Sequence, residues 1–385
     1  MRALAALVAL ALLSCDHPPS VARSVRALEA PGCTSPRDFG AVPDDGADDR
    51  EAIQRAIDSG ADCVRIDGTY HVTRRPQLGS LGIGSLQIRR PLRLEGDGVI
   101  SMLGSGAHRD WYLIQVAAAD VTISGITLSG RERTETEEQT HLIHASPGTS
   151  RLTIEDVAFD FPPIGPSSGG DCIRLLGNLG APVTDTTVRD IVGAVCDRSL
   201  IGVQRGVFGL LVDHVESAIV GDQVLDIEPS GGPAYACAPI VRDVVISDSI
   251  LRRGVGGGLA VAIQGDGCAL TTGVRISDSV IDGGILATDV GTLTIERTLV
   301  RAVGTLPLHV FKRALDVRVI DSRLERFGPG AVFHAHDQNG FAPTRVIVIG
   351  GSSGIVHMEN VDSFISIGVQ LDIRWRGVGE PKSIP

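Results

Sequence analysis

The sequence predicts an all-β fold, a solenoid of short parallel strands, and three observations carry that prediction. An apolar phrase recurs along the chain, glycine is abundant (47 of 385 residues), and long amphipathic helices are nearly absent. The phrase reads Val121-Thr-Ile-Ser-Gly-Ile, Leu152-Thr-Ile-Glu-Asp-Val, Thr187-Val-Arg-Asp-Ile, Leu211-Val-Asp-His-Val, Val245-Ile-Ser-Asp-Ser-Ile, Val274-Arg-Ile-Ser-Asp-Ser-Val, Leu293-Thr-Ile-Glu-Arg-Thr-Leu and Val317-Arg-Val-Ile-Asp-Ser-Arg-Leu. Aligning Ile123, Ile154, Val188, Val212, Ile246, Ile276, Ile295 and Val319 gives steps of 31, 34, 24, 34, 30, 19 and 24 residues. Periods of this size mean stacked units. Each unit has short alternating strands broken by Gly, Asp and Ser, with no helix between them. Such a chain winds as a coil, each strand pairing in parallel with its counterpart one turn away. Inward Ile, Leu and Val then stack into one core, and outward residues form ladders ~4.8 Å apart. The longer steps carry loops on one rim, where binding clefts form.

The N-terminus reads as an export signal. Arg2 supplies the positive start, and Ala3 to Leu13 is an apolar run too short to span a bilayer. Leu12-Leu13-Ser14-Cys15 resembles the bacterial lipobox, which implies cleavage before Cys15 and a lipid on it; plain secretion with an incidental Cys15 is the alternative. The expected organisation is a signal over 1–14, a tether over 15–32, a coil domain over 33–378 and a tail over 379–385. No later run is long and apolar enough to cross a membrane, so the protein is expected to be exported, with membrane contact only through the anchor.

A net charge of −11 argues against nucleic acid and anionic membrane surfaces as partners. Six cysteines besides Cys15 suggest disulfides in an exported chain. Fifteen pairings exist in principle. The repeat register favours Cys172–Cys196 and Cys237–Cys268, each one repeat apart, and leaves Cys33–Cys63. Zinc is the weaker reading, because no Cys-x-x-Cys spacing occurs.

The segment from Ser35 to Asp58 carries an N-cap signal at Asp48 or Asp49, then a helix with Ala52, Ile53, Ala56 and Ile57 on one face. Such a helix covers the open end of a coil, which otherwise offers an unpaired strand edge. The stretch Asp38-Phe-Gly-Ala-Val-Pro-Asp-Asp-Gly-Ala-Asp-Asp49 closely resembles the opening signature of the pectate-lyase-like superfamily. That resemblance covers residues 35–70 well, and the repeats extend it to about residue 375. It implies a right-handed parallel β-helix with an N-terminal capping helix. It does not imply one reaction, since members include lyases, glycoside hydrolases, epimerases and phage tailspikes, so function is argued at the site.

Strands just before the recurring phrase place side chains on successive turns. With Ile143, Ile173, Ile201, Leu225 and Val261 inward, one outward ladder runs His144, Arg174, Gly202, Asp226, Ala262. Its neighbour runs Ser146, Leu176, Gln204, Glu228, Gln264. An arginine, a hollow at glycine and an acid pair form a candidate site, with Arg198 and Arg205 flanking at strand ends. Asp226 and Glu228 are expected ~6.5–7 Å apart along the strand, near the lower end for inverting glycoside hydrolysis. One would act as acid and the other would activate water, with Arg174 or Arg198 holding a sugar carboxylate. The alternative is that both acids bind Arg or Ca²⁺ structurally, or are simply solvated. Gly170-Asp-Cys-Ile173 is similar to the polygalacturonase phrase Gly-Asp-Asp-Cys-Ile, but one Asp is missing, so Asp171 is expected to be a turn residue opening a strand. His309, His334, His336, Asp337, His357 and Glu359 form a later polar cluster that suits a metal or sugar hydroxyls, or just an exposed polar ladder.

The expected function is an exported carbohydrate-active enzyme that cleaves a polysaccharide, by hydrolysis through Asp226 and Glu228 or by β-elimination. An eliminating enzyme would use Arg or His144 as base, with Ca²⁺ to neutralise a uronate. Scarce, scattered aromatics (Trp111, Tyr112, Tyr235, Trp375) favour the alternative of a lipid-anchored glycan-binding or structural protein without catalysis.

Overall fold

Each turn of the chain lays an apolar side chain on the one before it. In a computed structural model, which describes residues 32–74, 84–104, 111–133, 139–163, 169–229, 240–255, 259–267, 269–327, 331, 333–336, 345–350, 354–359, 363–367, 371–376 and 382–384, the aligned residues pair in register. Val64, Leu94, Ile123, Ile154, Val188, Val212, Ile246, Ile276, Ile295, Val319 and Val348 form one continuous stack, and every member is buried. Strand pairing among the described residues is parallel throughout, apart from two isolated antiparallel bridges, Asn178–Ala181 and Asp266–Ala269. The last pairing joins Ser363–Ile367 to Lys382–Ile384, so the coil runs past the expected boundary at residue 378.

The recurring Asp has a conformational reason. Two residues after each aligned apolar residue from Ile123 to Val348 the backbone turns a corner with positive φ, at Gly125, Asp156, Asp190, His214, Asp248, Asp278, Arg297, Asp321 and Gly350. Glycine adopts this left-handed conformation freely, and Asp tolerates it because its short side chain bonds locally. After Asp248, Asp278, Arg297 and Asp321 a Ser or Thr follows, turns inward and forms a second ladder. Backbone N–H groups of Val215, Ser249, Ser279 and Thr298 donate to the side-chain oxygens of Ser249, Ser279, Thr298 and Ser322 on the next turn, at 3.1, 3.1, 3.4 and 3.1 Å. Each of those hydroxyls donates back to the carbonyl two residues earlier. Buried backbone donors at the corner are thereby satisfied.

The helix Arg50–Asp58 buries Ala52, Ile53, Ala56 and Ile57, as its periodicity predicts. Asp49 occupies the N-cap position but makes no side-chain cap bond. Its carboxylate instead accepts from the Val42 and His71 N–H groups at 3.2 and 3.3 Å, tying the cap to the first turns. Cys33–Cys63 and Cys172–Cys196 are disulfides. Cys15, Cys237 and Cys268 lie outside the described residues, as do the leader and most of the tether.

Replacing Ser279 by Ala removes the acceptor for the Ser249 N–H without changing the apolar core. Urea unfolding is expected to register a loss of about 1–3 kcal/mol, the cost of a buried donor left without a partner. A loss below about 0.5 kcal/mol, the range of ordinary surface changes, would show that the hydroxyl ladder contributes nothing.

Candidate functional site

The predicted ladder is present: His144 faces Arg174, Arg174 faces Gly202, Gly202 faces Asp226 and Asp226 faces Ala262. A second row of residues lies three positions earlier on each turn, through His141 and, just before their strands, Asp171, Ser199 and Gln223. Between the two lie buried apolar pairs, Leu142-Ile143, Cys172-Ile173, Leu200-Ile201 and Val224-Leu225. The chain bends there, so residues i and i+3 meet on the outer side. Arg174 Nη1 donates to Asp171 Oδ2 at 2.9 Å, and His141 and His144 both stack on Tyr112, at 5.6 and 3.9 Å between ring centroids. Strict two-residue alternation does not place these pairs together.

Asp171 does open its strand, but it is more than a turn residue. Its carboxylate is fully buried, bonded to Arg174 and 3.9 Å from Arg198 Nε. Gly202 is needed directly beneath: a Cβ there would sit 2.2 Å from Asp171 Oδ2 and 2.8 Å from Arg174 Nη1. The expected hollow at this glycine is therefore filled by the Asp171–Arg174 pair.

Asp226 and Glu228 come together on one donor. Arg198 Nη2 bonds Asp226 Oδ2 at 2.6 Å and Glu228 Oε2 at 3.0 Å. Two oxygens sharing one nitrogen at those distances are closer than the ~6.5–9.5 Å that an inverting pair needs for its water. Their surroundings differ, contrary to the expectation of two acids in open solvent. Asp226 is 3% exposed, whereas the Glu228 side chain is 57% exposed. Burial pushes the Asp226 carboxyl up to about 6 against the pull of Arg198. Burial opposes the charge on Arg198, but Asp171, Asp226 and Glu228 outweigh it and hold the guanidinium protonated. Gln204 and Arg205 lie at the turn after Ile201–Val203, where the Arg205 carbonyl accepts from the Gly177 N–H at 2.9 Å.

Two histidines in this cluster are neutral. Burial lowers His141 well below its ordinary value, and the nearby Arg174 and Arg198 lower it further. Burial likewise lowers His144, helped by His141 and Arg174. The Asp171 backbone N–H donates to His141 Nδ1 at 2.8 Å, so the proton of the neutral ring sits on Nε2. That Nε2, His144 Nδ1 and Asp171 Oδ1 have no hydrogen-bond partner among the described residues. Gln115, Gln204 and Asp222 are only half-buried around this cluster. Sequence reasoning passed over Tyr112 as a scattered aromatic, yet it pairs with His141 one turn away.

Asp197, beside Arg198 in sequence, belongs to a separate buried pair with Arg133. Its carboxylate also accepts from the Gly169 N–H at 2.8 Å, and the Arg133 guanidinium lies 3.7 Å over the Phe161 ring. This pair supports the strand end that carries Arg198. The donors do not fit Ca²⁺ at the site: Asp171 and Asp226 are each bonded to a guanidinium, and an ion there would have to displace it. The side-chain group Cys33, Cys63 and Glu95 has metal-ligand spacing, but its two sulfurs are joined in a disulfide.

No family model and no curated protein sequence matches the chain. Solved structures do resemble it. The A-module of mannuronan C-5 epimerase AlgE6 from Azotobacter vinelandii superposes with a TM-score of 0.65 at 16% identity, covering 91% of this chain and 99% of that one. The Streptococcus pneumoniae surface adhesin PfbA gives 0.54 at 14% identity, covering 89% and 91%. The tailspike gp61 of Pseudomonas phage phi297 gives 0.53 at 12% identity, covering 89% and 74%. At these identities the likeness is one of fold, and the chain is a right-handed parallel β-helix.

Proposed function

We propose that this protein is a carbohydrate-active enzyme that removes the proton next to the carboxylate of a uronic-acid sugar, leading to elimination or epimerisation. The observation that carries this reading is a pair of neutral, water-shielded histidines stacked with Tyr112 beside Arg174 and Arg198. A uronate carboxylate set against a guanidinium gains a partner for the negative charge that builds as the adjacent C–H bond breaks. His144 takes that proton, and the bonding pair moves into the carboxylate. In elimination the pair then forms the ring double bond and expels the glycosidic oxygen, which takes a proton from the Tyr112 hydroxyl. In epimerisation the carbon takes a proton back on its opposite face, with the Tyr112 hydroxyl as the donor. Hydrolysis by Asp226 and Glu228 is supported less well, because both acids share Arg198. A mannuronan C-5 epimerase has the same fold, which favours a polysaccharide substrate.

A second reading, glycan binding without catalysis, is favoured by the burial of Asp171, Arg174 and Asp226, which satisfy one another almost out of water. A panel of polysaccharides that includes polyuronates separates the two. Incubation with wild type is expected to yield either absorbance from unsaturated uronates or deuterium uptake from heavy water into the sugar. His144→Ala and Arg174→Ala are expected to lose ~10²-fold or more of that signal, and Glu228→Gln to stay within a few-fold of wild type. New reducing ends with neither signal would point to hydrolysis and sink the proton-abstraction reading; retention of polymer with no product would support binding alone.

We also propose export with a lipid on Cys15, supported by the charged start, the apolar run and Leu12-Leu13-Ser14-Cys15. When the full chain is made in a bacterium and partitioned between detergent and water, wild type is expected in the detergent phase and Cys15→Ser in the aqueous phase. Identical partitioning of the two would contradict the anchor.

A further inference from the structure

Four of the ten histidines fall between residues 309 and 357. His309, His334 and His357 occupy one ladder position on three consecutive turns, His309 opposite His334 and His334 opposite His357. It is the same ladder that carries Asp226, Ala262 and Leu286, so the imidazoles begin three rungs beyond the acid. The rings of His309 and His334 stack 5.6 Å apart and only 10° from parallel, and both residues are half-buried. Phe311 borders them, with its ring 4.9 Å from His309. The nearby Lys312 ammonium lies 3.9 Å from Asp289, which offsets the cation next to the patch. His336 and Glu359 follow two residues after His334 and His357 in their strands, and Arg374 faces His357.

From this placement we infer that the imidazole ladder binds one divalent transition-metal ion of the zinc, nickel or copper type. Rungs ~4.8 Å apart let a rotation of neighbouring rings bring two nitrogens onto one ion at the ~2.0–2.1 Å of a metal–imidazole bond. Imidazole is the donor these metals prefer, and the stacked rings of His309 and His334 place two of them on adjacent rungs. The frame is rigid: the strands that carry the rings are locked by parallel pairing on both sides, so little ordering is required on binding. The inference is independent of the chemistry proposed around His144 and Arg174, and it places a metal well away from those groups.

Calorimetric titration of the untagged, disulfide-intact full chain with Zn²⁺ alone tests it. Wild type is expected to bind one equivalent at neutral pH. His309→Ala and His334→Ala should each weaken binding at least ~10-fold, and the double variant should abolish it, while His214→Ala, an exposed histidine elsewhere on the coil, should bind like wild type. Wild-type affinity no greater than that of the double variant, or an equal loss in His214→Ala, would overturn the site. Line broadening of the histidine ring resonances by substoichiometric Cu²⁺ needs no variant to fold. The rings of His309 and His334 are expected to broaden before His214, and uniform broadening would overturn the inference.

Discussion

Two guanidinium groups, Arg174 and Arg198, are held almost out of water on the outer side of this coil, and a buried cation must be answered by nearby negative charge. Asp171 and Asp226 supply it from two different turns, with Arg198 between them. The consequences run through the site. Gly202 has to be glycine, because the Asp171–Arg174 pair lies over its α-carbon. Tyr112 and His144 pack face to face beside it. His141 is kept neutral by its burial, with two positive groups nearby adding to the effect, and is oriented by the Asp171 backbone rather than by a carboxylate. Burial, the charge cluster and the Asp171 backbone together set the protonation state, the tautomer and the packing of the groups that would meet a sugar.

The scaffold keeps those groups in place without relying on loops. The apolar side chains stack in register from turn to turn, and the Ser/Thr ladder satisfies the buried backbone N–H groups from Val215 to Thr298. The Cys172–Cys196 disulfide joins the residue after Asp171 to a point two residues before Arg198, so the two strands that feed the charge cluster are covalently tied. The Arg133–Asp197 pair holds the same strand end from the other side. A site built on strands in this way is preorganised, which is what stabilising a short-lived anion requires.

The repeat was legible because the aligned residues from Ile123 to Val319 are apolar at one position of every turn, and parallel pairing preserves that position. The same register carried His144, Arg174, Gly202, Asp226 and Ala262 correctly onto one ladder. Two features were not legible. The bend that brings His141 beside His144 and Asp171 beside Arg174 breaks two-residue alternation, and only the two consecutive apolar residues between them, such as Cys172-Ile173, hint at it. The burial of Asp226 depends on Arg198, which lies 28 residues earlier in the sequence, and a strand pattern says nothing about which arginine covers which acid. Asp is legible in the sequence among the residues that break the strands, and its left-handed backbone at the corners supplies the physical reason.

Burial beside guanidinium groups makes the folded state resist a proton that the unfolded chain accepts once the pH falls below the ordinary histidine value of 6.5. In that range the unfolded state binds more protons, so this part of the stability is present above 6.5 and is lost as the pH falls. Titration of the histidine ring nitrogens by NMR, assigned with His141 and His144 variants, therefore reads the charge cluster most directly. His141 and His144 are expected to stay neutral as the pH falls through 6.5, with His141 carrying its proton on Nε2. Ordinary titration of both rings near 6.5, or a proton on His141 Nδ1 in the neutral form, would contradict the arrangement of Asp171, Arg174 and Arg198 from which the proposed chemistry follows.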